Sequence, residues 1–176
     1  VYTSGSTGKP KGAILSDQIL RRRIGEEFLV PTPLVVVSYL PLAHSFDREN
    51  CLSCFLKGGR IAFHRGVVSD IFSTLQKAQP TTFSSTPRLW NELHQQFLDS
   101  FASAQATDQT NATNTPIEIL RKQCLASLRG ILGGRTKSIA TGGAATSAEV
   151  LQFMRECFEC SVVDGYGATE VGAIGW

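Results

Sequence analysis

The chain has 176 residues, of which 42% are hydrophobic and 18% are charged, and its formal net charge is +2. This composition predicts one globular domain with a hydrophobic core and excludes a disordered chain. Because the net charge is small and no apolar run approaches the ~20 residues of a membrane helix, neither nucleic-acid binding nor a membrane span is indicated.

The first half of the chain alternates predicted helices and strands. Ser16 and Asp17 offer an N-cap for a helix in "QILRRRIGEEFLV", which stops at Pro31. The β-branched run "LVVVSYLPL" predicts a buried strand, "HSFDRENCLSCFLKGG" a helix with a double-glycine stop, and "RIAFH" a short strand. A further helix is predicted in "SDIFSTLQKAQ", which ends at Pro80.

The second half continues the same alternation. "TTFSST" predicts a strand and "PRLWNELHQQFLDSF" a helix with Pro87 in its first turn. The polar stretch "ASAQATDQTNATNT" predicts a solvated loop, inserted near residues 102–116, before a helix in "PIEILRKQCLASLRGILGG". "KSIATGG" predicts a strand that runs into a glycine turn, "SAEVLQFMRECF" a helix, and "SVVDGYG" a final strand that breaks into "ATEVGAIGW".

This order predicts an α/β fold with a mainly parallel sheet and flanking helices, because such strands are joined by right-handed crossovers. Ligands of such sheets bind beyond the carboxyl ends of the strands. Four polar or glycine-rich segments follow predicted strands: His44, residues 86–88, Gly142 with Gly143, and residues 166–170. We expect them to face one edge of the sheet and to form one shared site.

The opening motif "YTSGSTGKPKGA" combines three glycines, several hydroxyl groups and two lysines. Glycines let the backbone approach a ligand closely, and successive amides with Lys9 and Lys11 are suited to wrap a polyphosphate. The motif differs from the G-x-x-x-x-G-K-[ST] loop, because only two residues separate Gly5 from Gly8 and Pro10 follows Lys9. The alternative interpretation is a surface linker rich in glycine and serine.

The closing motif "DGYGATE" places Tyr166 between two glycines, where its ring is suited to lie against a planar base. Thr169 and Glu170 set a hydroxyl beside a carboxylate, and the carboxylate is suited to a Mg²⁺ ion that bridges to phosphate. The alternative is that Glu170 is an ordinary solvated loop acid.

Four motifs in chain order, "YTSGSTGKPKGA", "SYLPLAHSFDR", "TGGAATS" and "DGYGATE", resemble those of the adenylate-forming (AMP-binding) superfamily. "LPLAHSFDR" is most similar to the form found in its long-chain fatty acyl-CoA synthetases. The resemblance covers nearly all of residues 1–176 and implies part of the large N-terminal domain, without its first segment and without the small C-terminal domain. Ala145 stands where the family more commonly has proline.

The resemblance implies ATP- and Mg²⁺-dependent conversion of a fatty acid to its acyl-adenylate and then to its coenzyme A thioester. It implies catalytic roles for Lys11, for His44 near the acyl carboxylate, and for Glu170 as magnesium ligand, with Thr7 as a second candidate ligand. The phosphate-binding residues that it implies are Thr3, Ser4, Gly5, Ser6, Thr7, Gly8, Lys9, Lys11 and Thr169. The adenine-side or adenylate-side residues that it implies are Gly142, Gly143, Ala144, Asp164, Gly165, Tyr166 and Gly167.

The expected partners are small molecules: a fatty acid, ATP and coenzyme A, and no nucleic acid. Val1 is not methionine and both ends lie at dense motifs, so we expect an internal piece of a longer protein. Membrane association of that protein, and its place in the cytoplasm or on the cytoplasmic face of a membrane, depend on segments outside this chain. Because the family's ribose-binding aspartate and catalytic lysine lie beyond Trp176, the piece alone is expected to be inactive and prone to aggregate.

Two other functions stay open at this point. "DGYGATEVGAIG" also resembles the adenylation domains of carboxylic acid reductases, which pass the acyl group to a carrier-bound thiol. An inactive homologue that serves as a nucleotide-binding module is the third interpretation.

Several side chains have both a structural and a functional interpretation. His44 is an acyl-side residue or a helix cap, and the arginines at 21–23 form a solvated helix face or a phosphate patch. Trp90 and Phe97 pack in the core or line an acyl tunnel. Two C-x-x-C pairs lie about a hundred residues apart, too far for a compact zinc ribbon, so we expect buried, reduced cysteines.

Overall fold

Helices pack against a largely parallel sheet in the computed structural model, which describes residues 1–3, 9–25, 33–66, 70–111 and 113–175. The strands of these ranges are β1 (Tyr2–Thr3), β2 (Lys11–Gly12), β3 (Val35–Ser38), β4 (Arg60–Phe63), β5 (Thr82–Ser85), β6 (Ser138–Gly142), β7 (Ser161–Ala168) and β8 (Gly172–Gly175). The helices are α1 (Asp17–Gly25), α2 (Ser45–Leu56), α3 (Ile71–Ala78), α4 (Pro87–Asn111), α5 (Ile117–Arg129) and α6 (Ala148–Phe158), and a short 3₁₀ helix covers Gly130–Leu132.

The sheet is mainly parallel, as predicted. β3 pairs with β4, and β5, β6 and β7 pair in that order, all in parallel, whereas β8 runs antiparallel to β7. Hydrogen bonds between β3 and the segment of β5 show how these two groups of strands lie: the Thr81 N–H donates to the Val35 carbonyl (2.9 Å), and the Tyr39 and Ser85 hydroxyls are hydrogen-bonded at 2.8 Å. Position 35 is linked to position 81 and position 39 to position 85, so both segments run in the same direction and β3 is parallel to β5. The carboxyl ends of β3, β5, β6 and β7 therefore lie along one edge.

The core lies where α3 to α6 cover the sheet. Trp90 on α4 is fully buried and packs edge-on against Phe83 and Phe158, with ring centroids 5.7 and 5.9 Å away. Its indole N–H donates to the Ala140 carbonyl on β6 (3.2 Å). Phe97, two helical turns further on, is 1% exposed in the same cluster. The packing interpretation of both aromatic residues is confirmed.

The prediction of a solvated loop near residues 102–116 is wrong for most of its length, because α4 continues as a helix to Asn111. The stretch is rich in Ala and Gln, which favour helix. The hydroxyls at positions 103, 107 and 110 each donate to the carbonyl four residues earlier (2.8–2.9 Å), so these polar side chains are satisfied within the helix. Among the described residues, the loop is confined to 113–116. Asp108 accepts from the Thr113 hydroxyl and the Thr115 N–H there, and these bonds lower the pKa of Asp108.

The chain does not break after the last predicted strand. β7 extends to Ala168, and β8 returns beside it as a hairpin with a register shift between Tyr166 and Gly167. The Val171 N–H donates to the Ala168 carbonyl (3.2 Å), and Gly172 takes φ +80°, a left-handed conformation that favours glycine. The motif predicted as a loop is therefore a strand followed by a tight turn.

Most other boundaries lie within a few residues of the predictions. The predicted nine-residue strand before His44 is shorter, since β3 ends at Ser38. α1 covers the first part of the helix predicted after Asp17, and the remainder, residues 26–31, lies outside the described residues. Within the described ranges, none of the helices combines the length and apolarity that crossing a bilayer requires.

Candidate functional site

The opening motif is held at both ends by a short antiparallel pair. Tyr2 pairs with Gly12 and Thr3 with Lys11, and the Ala13 N–H donates to the Val1 carbonyl (2.7 Å). Ser4, Gly5, Ser6, Thr7 and Gly8 lie outside the described residues, while Lys9 and Lys11 are exposed. Because its two flanks pair, Thr3 and Lys11 are held side by side, which favours the phosphate-loop interpretation over an extended linker.

His44 lies at the N-cap position of α2, where its backbone is extended (φ −75°, ψ 125°). Its side chain is exposed and makes no capping hydrogen bond to the helix. The loop before it is closed by its backbone instead, as the His44 N–H donates to the Pro41 carbonyl (2.8 Å). The imidazole is therefore available at the sheet edge rather than used as a cap.

Asp47, which the sequence analysis did not single out, fixes the segment between β3 and α2. Its side chain is 1% exposed and accepts hydrogen bonds from the Ser38 hydroxyl and from the N–H groups of Tyr39 and Leu40. Burial raises the pKa of Asp47, and these hydrogen bonds together with the nearby charge of His44 oppose the shift. The available signal was an acid in the first turn of a helix, close to the end of a buried strand.

The adenine-side residues predicted on β6 and β7 do lie side by side. Gly142 is opposite Gly165, and a β-carbon on Gly142 would lie 2.9 Å from the Gly165 carbonyl oxygen, so a side chain there would collide with backbone. Gly143 takes φ +83°, and the hydroxyls of Thr141 and Thr146 are hydrogen-bonded at 2.8 Å. The loop that contains Ala144 and Ala145 is thus closed without the proline common in the family.

The hairpin of β7 and β8 presents the remaining predicted residues. Asp164 to Gly167 lie on β7, and the Tyr166 side chain is 72% exposed. Thr169 and Glu170 form the turn, where Glu170 is exposed and makes no ion pair with any described residue. The described residues include no cluster of three or more side chains suited to hold a metal ion. A lone accessible carboxylate fits Mg²⁺, which takes most of its ligands from water and phosphate oxygens.

Arg23 departs from the expected solvated face of residues 21–23. The Arg21 side chain is 79% exposed and pairs with Asp17 on the same helix (2.7 Å), whereas the Arg23 side chain is 4% exposed. Its guanidinium donates to the Glu49 carboxylate on α2 and to the Thr169 carbonyl, each at 3.0 Å. The helical face is therefore solvated at Arg21 and buried at Arg23.

The cysteines are all free, and four of the five are buried. Burial raises the pKa of Cys157 to about 12 and that of Cys160 to about 11, so both are thiols rather than thiolates at neutral pH. The interpretation of buried cysteines is confirmed for four of the five, and Cys160 is half-buried.

Comparison with known proteins supports the family resemblance independently. The sequence profile described as "AMP-binding enzyme" matches residues 1–176. Fatty acyl-CoA synthetase A of Dictyostelium discoideum is 35% identical over an alignment that covers 97% of this chain and 28% of that protein. Human long-chain-fatty-acid–CoA ligase 1 is 32% identical, with 98% of this chain and 27% of that protein covered.

The solved structures that resemble this chain include adenylation domains. The adenylation domain of a carboxylate reductase from Mycobacterium chelonae superimposes with a TM-score of 0.82 at 28% identity, covering 99% of this chain and 27% of that one. The corresponding domain from Segniliparus rugosus, in complex with AMP and a co-purified carboxylic acid, gives 0.74 at 26% identity, covering 99% of this chain and 28% of that one. The chain spans about 28% of the length of the curated relatives that it matches. With a profile match along its whole length and relatives of this similarity, the chain belongs to the AMP-binding enzyme family.

Proposed function

We propose that the protein carrying this chain activates a long-chain fatty acid with ATP and passes the acyl group to coenzyme A. The observation that carries the proposal is the similarity, over nearly all of this chain, to proteins named as long-chain acyl-CoA synthetases. The geometry supports it, because the predicted acyl-side and adenine-side segments follow strands whose carboxyl ends share one edge of the sheet.

The reaction has two steps. In the first, a carboxylate oxygen of the fatty acid attacks the α-phosphorus of ATP; the bond between the α-phosphorus and the β-bridging oxygen breaks, and pyrophosphate leaves. In the second, the sulfur of coenzyme A attacks the acyl carbon; the carbon–oxygen bond to the phosphate breaks, AMP leaves, and the thiol proton is released. No nucleophile from the protein is needed, since the substrates supply both attacking atoms.

The residues of this chain are proposed to position substrates and to offset charge. Negative charge accumulates on the phosphate oxygens as the carboxylate approaches, so preorganised donors and cations lower the barrier. Lys9, Lys11 and the amides of the predicted loop at 3–8 are assigned to the β- and γ-phosphates, and Thr169 to the α-phosphate. His44 is assigned to the carboxylate of the fatty acid.

The nucleotide base is assigned to the carboxyl ends of β6 and β7. The exposed ring of Tyr166 supports this assignment, since an aromatic face open to solvent is suited to stack on adenine. Gly142, Gly143, Ala144, Asp164, Gly165 and Gly167 complete the adenine-side set. Glu170 is assigned to Mg²⁺, which when bound supplies positive charge to the phosphate oxygens.

The test is fatty-acid-dependent exchange of pyrophosphate into ATP by the full-length protein. Glu170→Ala should lower exchange by about 10²-fold or more, the scale expected when one key electrostatic group is lost. Glu92→Ala is the matched control, because Glu92 is an exposed carboxylate on α4 that the mechanism does not use. Exchange at the wild-type rate in Glu170→Ala would remove Glu170 from the mechanism.

The structural similarity to carboxylate reductases favours one second candidate. In that case the adenylate would form in the same way, but the acyl group would pass to a carrier-bound thiol and be reduced. Adding free coenzyme A to the exchange-competent protein distinguishes the two, because only the acyl-CoA ligase then yields a thioester of coenzyme A. Wild-type protein that shows no exchange with any fatty acid would instead support the inactive homologue.

A further inference from the structure

Arg23 is a buried arginine that connects parts of the chain far apart in sequence. It lies 26 residues from Glu49 and 146 residues from Thr169, and it donates to both at 3.0 Å. A buried guanidinium is expensive to desolvate and persists only when charge and hydrogen bonds compensate it. The Glu49 side chain, 20% exposed, supplies the charge, and the Thr169 carbonyl supplies a second acceptor.

The hairpin of β7 and β8 is shaped to receive this side chain. A β-carbon on Gly172 would lie 2.7 Å from the Arg23 Nε, so the guanidinium fits here because Gly172 has no side chain. The Nε itself is buried and makes no hydrogen bond among the described residues. The two terminal nitrogens of Arg23 therefore carry the link, one to α2 and one to the turn.

The Thr169 carbonyl is bonded directly to the amide nitrogen of Glu170. Whatever holds that carbonyl restrains the peptide from which the Glu170 carboxylate extends. α2 begins directly after His44, and α1 follows the β1–β2 pair that contains Lys11. Arg23 thus joins α1 and α2, the helices that follow the segments carrying Lys11 and His44, to the turn that carries Glu170.

We propose that Arg23 is a positioning residue, which holds the Thr169–Glu170 turn in the orientation that the magnesium ligand needs. The inference rests on the proposed function of Glu170. Arginine is required because its planar guanidinium presents several fixed donors, so it reaches the carboxylate and the carbonyl together; the single ammonium of lysine cannot reproduce that geometry.

The experiment separates positioning from stability with three variants of the full-length protein. Arg23→Met removes both contacts but also leaves Glu49 as an unpaired, largely buried charge. Glu49→Gln removes only the ion pair. The double variant, Arg23→Met with Glu49→Gln, removes the unpaired charge and still lacks the contact to Thr169. Arg21→Gln is the matched control, because Arg21 is exposed on the same helix.

Two readouts are combined with thermal unfolding. The first is hydrogen exchange of the amides at 168–172 in protein free of metal and nucleotide, where the Val171 N–H is bonded to the Ala168 carbonyl. The second is the Mg²⁺ concentration that gives half-maximal pyrophosphate exchange. Residues that orient a metal ligand typically change affinity or activity by about 10- to 100-fold when removed, and we expect a rise of that size.

In Arg23→Met we expect a lower unfolding temperature, faster exchange of the turn amides and a higher Mg²⁺ requirement. The double variant should recover unfolding temperature while it keeps the fast exchange and the high Mg²⁺ requirement. Recovery of all three together would overturn the proposal and make Arg23 a purely structural residue, as would turn amides that exchange at the wild-type rate in Arg23→Met. If the wild-type protein forms no adenylate, the proposed function fails, and the metal-free exchange still decides whether Arg23 holds the turn.

Discussion

At the scale of single residues, Asp47 and Arg23 are charged side chains buried behind the candidate site rather than within it. Asp47 accepts hydrogen bonds from the Ser38 hydroxyl and from two backbone amides, and so determines how the chain leaves β3 toward His44. Arg23 does the same for the turn that carries Glu170. In both cases the exposed side chain that is proposed to contact substrate or metal is oriented by a buried one.

The raised pKa of Asp47 has a consequence for stability. An acid whose pKa is higher in the folded than in the unfolded state binds its proton more tightly when folded. Its contribution to the free energy of unfolding is then greatest at low pH and declines as pH rises through the raised pKa. Asp47→Asn removes this titration, so the stability of the variant relative to wild type should increase with pH.

The measurement is the thermal unfolding temperature of both proteins from about pH 4 to about pH 7, above the ordinary aspartate pKa of about 3.9. Asp17→Asn is the control, since Asp17 is 78% exposed on α1. A wild-type protein that gains stability relative to Asp47→Asn as pH rises would contradict the expected sign.

The exposed residues of the candidate site were accessible to sequence reasoning, and the buried ones that orient them were not. Lys9, Lys11, His44 and Glu170 lie in compact motifs whose residue types indicate phosphate, carboxylate and metal chemistry. Arg23 was interpreted as part of a solvated face, because neighbouring arginines on a helix usually are. Its acceptor lies 146 residues away, and no local pattern records that contact.

At the scale of elements, hydrophobic runs separated by prolines and glycines predicted every helix and most of the strands that the structure describes. It failed at α4, where small polar residues extend a helix without a hydrophobic stripe, and at the short strands β1, β2 and β8, which gain their structure by pairing with a neighbour. Short strands depend on partners more than on their own sequence.

Alanine should affect stability differently at two glycines, because β6 and β7 approach each other closely at Gly142 and nothing lies close to Gly130. Gly142→Ala would place a methyl group 2.9 Å from the Gly165 carbonyl oxygen, and overpacking of this kind typically costs about 1–3 kcal/mol. Gly130→Ala meets nothing within 4 Å and keeps an ordinary helical backbone, so it should be neutral or stabilising by up to about 1 kcal/mol.

The measurement is the thermal unfolding midpoint of the full-length protein with Gly142→Ala or with Gly130→Ala. We expect a lower midpoint for Gly142→Ala, accompanied by weaker ATP use, because the strands that separate are those assigned to the adenine. Equal midpoints for the two variants would show that β6 and β7 have room for a side chain at this position.

At the scale of the whole molecule, the surface is not uniformly polar. Phe55 and Leu56 on α2 and Phe63 on β4 are 61%, 72% and 62% exposed, and among the described residues β4 pairs only with β3. Exposed apolar side chains beside an unpaired strand edge promote association. The 176-residue chain expressed alone should therefore self-associate.

Sedimentation at several protein concentrations tests the association. Replacing Phe55 with Gln and Phe63 with Thr should shift the chain toward the monomer, whereas replacing both with Leu, which keeps the apolar surface, should not. A 176-residue chain that remains monomeric at every concentration, with the phenylalanines in place, would contradict the prediction.

The contact between Arg23 and Thr169 also implies an order in which parts of the site form during protein synthesis. A ribosome delivers the chain from its N-terminus, so Arg23 meets Glu49 first, and about 120 further residues must emerge before Thr169 arrives. At roughly 5–20 residues per second, that interval is about 6 to 24 s. During it the guanidinium has its anionic partner but lacks its carbonyl acceptor, and the turn that carries Glu170 does not yet exist. Within this chain, the turn that carries Glu170 is therefore made after α1 and α2, the helices to which Arg23 joins it.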